Sequence, residues 1–323
     1  MANAYNTVAA DAGNNLRLDN VVLDVYSQEI LFQAQPNLRF ESVAVRRTEL
    51  GVQPGHTISF LRFNSLTGDS AIGESDTIET DTMSTSLIQI TVSEHAKALG
   101  FTEYLVRTSL VDVMEQATTL LGQHYVSERD TLVANKLYAG SNVLYAKDRA
   151  DRASLGATDY FDVNLIRDAV ETLATAKAPK FELDAYLCFV HPHQSRHLRA
   201  DDAWVAVQHY GSPENIRSGE IGRIEDVRFI ETTKVPYVKI ATQDIWIDGT
   251  DSTQNTSEAA NSNTNVYRAV VVGDYAVGLA EALPVELRDN GVQDFGRTRE
   301  IAYYGIWGAG LIEENHSLIL ETA

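Results

Sequence analysis

The chain has 323 residues, with 26 basic and 45 acidic side chains and a net charge of −19. Hydrophobic residues make up 44% and charged residues 22%, the balance of a folded protein with one large domain or two modest ones, not of a disordered or fibrous chain. The acidic excess and the lack of any Lys/Arg cluster exclude a sequence-independent grip on nucleic acid, and they favour solubility. The single cysteine, Cys188, lies in the apolar run Ala185-Tyr-Leu-Cys-Phe-Val190. It rules out an internal disulfide framework, suits a reducing compartment and reads as a small buried hydrophobe. No apolar run approaches transmembrane length, and Met1-Ala-Asn-Ala-Tyr-Asn6 lacks the basic region and apolar core of a signal peptide. The expected location is the cytoplasm, away from membranes.

In chain order, residues 1–18 are small and polar and read as an extended arm. Residues 19–35 carry Val22, Val25, Tyr26, Glu29, Ile30 and Gln33 at helical spacing, and Pro36 ends that helix. Residues 38–52 read as an extended link, and Pro54-Gly55 is a turn signal. Two strand-like runs follow, Thr57-Ile-Ser-Phe-Leu-Arg-Phe63 and Ser84-Thr-Ser-Leu-Ile-Gln-Ile-Thr-Val-Ser93, separated by a polar stretch over residues 64–83. A two-stranded hairpin has little core of its own and is marginal in water. It needs a neighbour, which points away from an enzyme and towards an assembly subunit. A long helix is expected from Ser109, with Asp112 three residues on, through Leu110, Val113, Met114, Ala117, Leu120, Leu121, His124, Tyr125, Leu132 and Val133 to Leu137, with Gly140 as C-cap.

The second half mixes helices and strands. Residues 161–178 read as a helix closed by Pro179, residues 185–190 as a buried strand, and residues 192–209 as a third helical stretch opened by Pro192. Strands are expected at 227–230, 238–247, 266–280, 301–311 and 317–320, with a long surface loop over 248–265. There is no regular βαβ repeat, so the class is α+β.

The constellations that could carry chemistry are sparse. His193 and His197, in His191-Pro-His-Gln-Ser-Arg-His197, are four apart and would share a helix face, so they are candidates for a metal with a carboxylate from Asp201 or Asp202. The pattern lacks the glutamate of a zinc protease, because position 194 is Gln. The competing reading is a strand-to-helix turn with Pro192 at the helix start. Gly51-Val-Gln-Pro-Gly55-His-Thr57 lacks the lysine and following helix of a phosphate loop, and Ser218-Gly-Glu-Ile-Gly222 lacks the third glycine of a dinucleotide fingerprint. No Gly-x-Ser-x-Gly elbow is present, and the adjacent pairs Glu313-Glu314 and Asp201-Asp202 diverge in regular structure. Asn255-Thr-Ser257 and Asn315-His-Ser317 are chance glycosylation matches. No active site and no cofactor are expected.

The order of elements resembles that of HK97-type major capsid proteins of tailed bacteriophages, and more narrowly the family of the phage N4 coat protein. The resemblance rests on Pro54-Gly-His-Thr-Ile-Ser-Phe-Leu-Arg-Phe63, Gln89-Ile-Thr-Val-Ser93, His191-Pro-His-Gln-Ser-Arg-His-Leu-Arg199 with Trp204, Gly219-Glu-Ile-Gly-Arg-Ile-Glu-Asp-Val-Arg-Phe-Ile230 and Val271-Val-Gly-Asp-Tyr275. It implies an N-terminal arm (1–52), an E-loop region (53–100), a peripheral domain with a spine helix (101–160 and 284–311) and an axial domain (161–283 and 312–323). It also implies a non-catalytic shell subunit that forms pentamers and hexamers around double-stranded DNA in the virion, assembled in the bacterial cytoplasm. The hairpin begins near residue 57, which leaves no room ahead of it for a cleaved scaffolding segment, so a separate scaffolding protein is implied. A portal protein and a cement protein complete the expected partners. The inter-subunit contact candidates are Leu66, Ile72 and Ile78 at the hairpin tip, Tyr5 and Arg17 in the arm, and Arg46 and Arg47 in the link. The alternatives are an encapsulin-like nanocompartment and a metal-dependent hydrolase using His193 and His197. A carbohydrate-binding module explains neither the arm nor the long helix.

Overall fold

The computed structural model describes residues 39–48, 56–63, 82–109, 112–181, 184–201, 220–238, 245–247, 250–252 and 265–323. The expected arm, the helix over 19–35, the hairpin tip over 64–81, the later part of the third helical stretch and most of the loop over 248–265 lie outside the described residues. A 3-10 turn (Phe40–Val43) leads into β1 (Ala44–Arg47), followed by β2 (Thr57–Phe63), β3 (Thr85–Thr91) and β4 (Ser93–Thr102). Next come helices α1 (Glu103–Thr108) and α2 (Val113–Leu137), strand β5 (Val143–Tyr145), helix α3 (Val163–Thr175), strand β6 (Tyr186–Val190) and helix α4 (Pro192–Leu198). The remaining strands are β7 (Glu220–Ile224), β8 (Val227–Glu231), β9 (Tyr237–Val238), β10 (Ile245–Ile247), β11 (Thr250–Ser252), β12 (Val266–Val272), β13 (Val277–Gln293), β14 (Thr298–Leu311) and β15 (Ser317–Thr322). The class is α+β, as the sequence implies.

The chain divides into two compact units, one holding Arg46–Leu121 and Leu279–Ile312, the other holding Gly122–Gly278, Glu313–Ala323 and the segment that ends at Val45. The first unit is built on a four-stranded sheet in the order β1-β13-β14-β4, with the β2-β3 hairpin beside it. Strand β4 is not evident from the sequence, because Ser93-Glu-His-Ala-Lys-Ala-Leu-Gly-Phe-Thr102 has no alternation. Its partner determines it: Thr102 to Ser93 pair in unbroken antiparallel register with Thr298 to Trp307. The strand expected over 266–280 proves to be two, β12 and β13, parted by a turn over 273–276, and β13 runs on through Pro284 and a series of charged residues that mask the period.

The helix expected from Ser109 corresponds to α2, which starts at Val113, and a separate short helix, α1, precedes the expected start. Thr102 Oγ1 caps α1 by accepting from the Leu105 N–H at 3.1 Å, and Ser109 closes α1, its N–H donating to the Leu105 carbonyl at 2.8 Å. Asp112 starts α2, its Oδ1 accepting from the N–H groups of Met114 (2.9 Å) and Glu115 (3.3 Å). Gly140 is not the left-handed C-cap expected of it, since its φ is not positive. The 25 residues of α2 span roughly 37 Å at 1.5 Å per residue.

In the second unit, part of the link over 38–52 folds down instead of running extended. Asp130 on α2 accepts at Oδ1 from the N–H groups of Arg39 (3.1 Å) and Phe40 (2.7 Å), and its Oδ2 pairs with Lys234 at 3.3 Å. Beside it, the buried Arg129 and Glu41 form an ion pair at 2.5 Å. Phe40, fully buried, lies 4.3 Å from the Phe189 ring and edge-on to Tyr138.

A nine-stranded sheet forms the body of this unit, in the order β11-β10-β9-β12-β6-β8-β7, with β15 joining β12 to β5. Strand β12 pairs antiparallel with β15 and β6, whereas β15–β5 and β6–β8 are parallel. Helix α3, capped by Asp162, lays Leu165, Ile166, Ala169 and Leu173 into a core with Tyr186, Cys188, Val271, Leu318 and Leu320. Its C-terminus has the Schellman pattern: Lys177 is left-handed (φ 58°), and the Ala178 N–H reaches back to the Leu173 carbonyl. Cys188 is a free, fully buried thiol, and burial pushes its pKa well up. It packs as the small hydrophobe expected.

Every residue of β15 is buried. Within it Glu321, fully out of solvent, faces two guanidiniums: Arg152 Nε at 2.6 Å and Arg268 Nε at 3.0 Å. Removing one member of a buried charge network leaves the others uncompensated. Glu321→Gln is therefore expected to destabilise the protein by about 3–5 kcal/mol, read as a lowered denaturation midpoint with unchanged denaturant slope.

Candidate assembly surfaces

Strands β2 and β3 pair antiparallel from Thr57↔Thr91 to Phe63↔Thr85. Opposed residues share a face, so Ile58 and Phe60 lie with Ile88 and Ile90 on one side, and Phe63 and Leu87 on the other. On the first side Ile58 and Ile90 are buried with Val92 and Ala280, flanked by Phe60, Ala282 and Ile306. Strand β14 accepts this face because it is stripped of side chains where the two meet. A Cβ on Gly308 would strike the Thr91 carbonyl and come within 3.0 Å of the Val92 Cα, and a Cβ on Gly310 would meet Ile90 Cγ1 at 3.0 Å. A Cβ on Gly305 would strike the ring of Trp307, which stacks on His95 at 4.7 Å and 12°. The Val92 N–H donates to the His56 carbonyl at 3.0 Å and closes the base of the hairpin.

The other side of the hairpin is open. Phe63 is 58% exposed and Leu87 56%, with Met83 exposed beyond them. Phe63 and Leu87 are diagonal neighbours across the two strands, and exposed apolar side chains grouped in this way are what interaction sites use. The contact candidates Leu66, Ile72 and Ile78 at the tip lie outside the described residues, as do Tyr5 and Arg17. Of the two candidate arginines in the link, Arg46 is held by Glu281 of its own chain at 3.1 Å, and Arg47 is exposed at the end of β1. Phe63 and Leu87 were not among the candidates, yet the sequence carries their signal. Inward positions run Ile58, Phe60 and Ile88, Ile90, Val92, so an apolar residue at 63 or 87 is out of phase and faces outward.

The metal candidates occupy an aromatic stack. His191 caps α4, its Nδ1 accepting from the His193 N–H at 3.1 Å while Gln194 Oε1 accepts from the His191 N–H at 3.2 Å, which is the turn that Pro192 implied. The His193 ring stacks on Tyr267 (4.4 Å, 9°) and meets His197 edge-on at 4.9 Å; His197 stacks on Tyr160 (4.1 Å, 7°). Asp201 is directed elsewhere, accepting from the Val163 N–H at 3.1 Å at the start of α3, and Asp202 lies outside the described residues. Among the described residues, no three His, Cys, Asp or Glu side chains converge as a metal site would require. Burial holds the pKa values of His191, His193 and His197 below the ordinary histidine value, with neighbouring His and Arg charges adding to the effect. Three neutral rings packed against tyrosines, two of them stacked, can fill space and orient one another. Among the described residues, no helix is long and apolar enough to cross a membrane.

The family described as Phage capsid protein matches residues 31–312. The fold is similar to the capsid protein of Ralstonia phage GP4, with a TM-score of 0.67 at 18% identity over 100% of this chain and 97% of that one. It is similar to that of cyanophage Pam1 (TM-score 0.70, 13% identity, 100% and 99% covered) and of Helicobacter pylori bacteriophage KHP30 (TM-score 0.66, 15% identity, 88% and 91% covered). No curated protein matches the chain.

Two outcomes follow from this geometry. Gly308→Ala places a methyl group against the backbone of Thr91 and Val92 and is expected to cost about 1–3 kcal/mol, as overpacking does; hydrogen exchange should locate the loss in β2 and β3. Acid should weaken the second unit in two separate steps. The unfolded chain binds protons at His191, His193 and His197 before the folded one does, so stability falls as the pH drops below about 6.5 and levels off below the folded values. Burial would raise the pKa of Asp159, but hydrogen bonds from Arg149, the Gly156 N–H and Lys147 outweigh it and hold the carboxyl at about 2, against an ordinary 3.8. That stabilisation is complete above the ordinary value and is lost as the pH falls through about 2. In thermal melting across pH 2–8, Asp159→Asn should remove the low-pH loss, and His193→Gln should reduce the loss below about 6.5 while His191 and His197 keep the remainder.

Proposed function

The chain belongs to the phage capsid protein family, and on that premise we propose how its surfaces build a shell around double-stranded DNA. It is a structural, non-catalytic major capsid protein with the HK97-like fold, and its copies self-assemble into the icosahedral capsid of the virion. The observation that carries the reading of the surfaces is the two-sided hairpin. One face is used up on β14 of the same chain, and the other leaves Phe63 and Leu87 open. In our reading the outer face and the tip over 64–83 lie on a neighbouring copy, within pentamers and hexamers. Burial of apolar surface supplies the driving force, and obligate interfaces bury more than about 2,000 Å².

The domain assignment follows the same reading. The E-loop region is 53–100, the peripheral domain 101–160 with 284–311, the axial domain 161–283 with 312–323, and the arm 1–52. Leu66, Ile72, Ile78, Tyr5, Arg17, Arg46 and Arg47 remain the proposed contacts, and Phe63 and Leu87 join them. The net charge of −19 supports containment of DNA without binding to it, since a wall of like charge does not retain the polymer. A separate scaffolding protein, a portal and a cement protein are the proposed partners, and the host bacterial cytoplasm the proposed place of assembly.

Deletion of residues 65–81 tests this reading. The expected product is a soluble subunit with a near-unchanged melting temperature that forms no stable particles by negative-stain microscopy; normal particles would refute it. Native particles should contain double-stranded DNA, whereas a protein cargo in its place would turn the assignment to an encapsulin-like compartment.

A further inference from the structure

Asn290-Gly291 is the one Asn-Gly pair in the 323 residues. In such a pair no side chain on the second residue hinders its backbone nitrogen from attacking the side-chain amide of the first, so the fold decides whether the attack occurs. Asn290 is exposed near the end of β13, and Gly291 is left-handed (φ 73°) with open space where a Cβ would stand. Both reacting groups are nevertheless tied down, each by its own carboxylate. The Gly291 N–H donates to Asp289 Oδ1 at 2.8 Å, and Asn290 Nδ2 donates to Glu300 Oε2 on β14 at 2.7 Å. The carboxylates are themselves fixed. Asp289 is almost fully buried and its Oδ2 accepts from Arg299 Nε at 2.8 Å, while Glu300 lies in the unbroken register of β14 with β4, opposite Gly100. Glu300 Oε1 is buried and has no hydrogen-bond partner among the described residues, which leaves the Asn290 amide as the donor this side chain relies on.

We propose that Asn290 is a modification site held shut by this clasp: its side chain cyclises onto the Gly291 nitrogen when the bridge to Glu300 opens, and the product keeps the bridge open. The Gly291 amide gives up its proton, for which Asp289 Oδ1 is the acceptor in place, and its nitrogen bonds to Asn290 Cγ. The Cγ–Nδ2 bond breaks, and Nδ2 leaves as ammonia with that proton. Water then opens the cyclic imide at one of its two carbonyls and gives aspartate or isoaspartate at position 290. The change is one-way because of what faces the product. Position 290 has lost its donor and carries a carboxylate opposite Glu300, so an attraction at 2.7 Å becomes a repulsion of like charges across the strands. Isoaspartate also adds a carbon to the main chain, which disturbs the strand register. On the shell-forming reading the copies are not renewed after assembly, so the change accumulates with the age of the particle; the site itself belongs to the single chain.

Peptide mass spectrometry of the full chain, kept for weeks at neutral pH, reads the conversion of Asn290 as a gain of one mass unit. The folded wild type should convert at least tenfold more slowly than the same chain in denaturant. Glu300→Ala, shown to be folded by circular dichroism, should convert at least tenfold faster than folded wild type. Glu300→Gln keeps an oxygen for the Asn290 amide and should stay near the wild-type rate. Asn290→Asp, the chemical product, should lower the melting temperature by about 2–4 °C. Folded wild type that converts as fast as the denatured chain would overturn the proposal, as would a folded Glu300→Ala chain no faster than wild type or an Asn290→Asp chain as stable as wild type. If Glu300→Ala does not fold, the folded and denatured rates of the wild type and the melting of Asn290→Asp still decide. Particle formation enters none of these measurements, so a failure of the shell-forming reading would leave them standing.

Discussion

The first unit depends on a contact between backbones. Where β3 passes into β4, the chain lies so close over β14 that the facing residues of β14 can carry no side chain, and Gly308 and Gly310 meet that requirement. This contact lets a two-stranded hairpin without a core of its own bury Ile58 and Ile90 on a sheet that exists without it. The hairpin can then present a second apolar face outward while its base stays fixed. A side chain at Gly308 would do more than create a local clash: it would push the backbone of Thr91 and Val92, and with it the inner face of the hairpin, off its support.

The second unit is organised differently. Its core is a broad sheet covered by α3, but the segments that arrive from distant parts of the chain are joined by buried charge. Asp130 gathers the backbone N–H groups of Arg39 and Phe40, and Arg129 takes Glu41. Glu321 stands between Arg152 and Arg268. Buried pairs of this kind add little net stability over an apolar core, yet they strongly penalise an absent or misplaced partner. Their contribution is thus to register, selecting which segment docks where, while the hydrophobic contacts of Tyr186, Val271, Leu318 and Leu320 supply the stabilisation.

What was legible in the sequence follows these physical differences. Elements whose burial shows in their own composition were evident: β2, β3, α3, β6, β12 and the core of β14. Elements determined by their partners were not. Strand β4 has no apolar alternation and is a strand because ten residues of β14 pair with it. Helix α1 was not expected, and Ser109 looked like the start of α2, although its N–H, bonded to the Leu105 carbonyl, closes α1 instead. The stripe expected along α2 holds only in part: Leu120 is exposed, and the buried Arg129 and Asp130 looked like solvated positions, since a charge reveals its partner only when the fold brings Glu41 and Lys234 to it. The outward face of the hairpin was readable in the phase of Phe63 and Leu87.

Strand β15 has a consequence for how the subunit is made. It is buried along its whole length, lies between β12 and β5, and brings Glu321, whose carboxylate faces both Arg152 and Arg268. Until residues 317–322 have left the ribosome, β12 has an open edge and two guanidiniums stand in a forming core without their counterion. A chain interrupted before that point cannot close the sheet, however well its earlier parts have folded. Competence for assembly is thereby coupled to synthesis of β15, and chains interrupted before it are kept out of a structure in which a single defective copy would leave a hole.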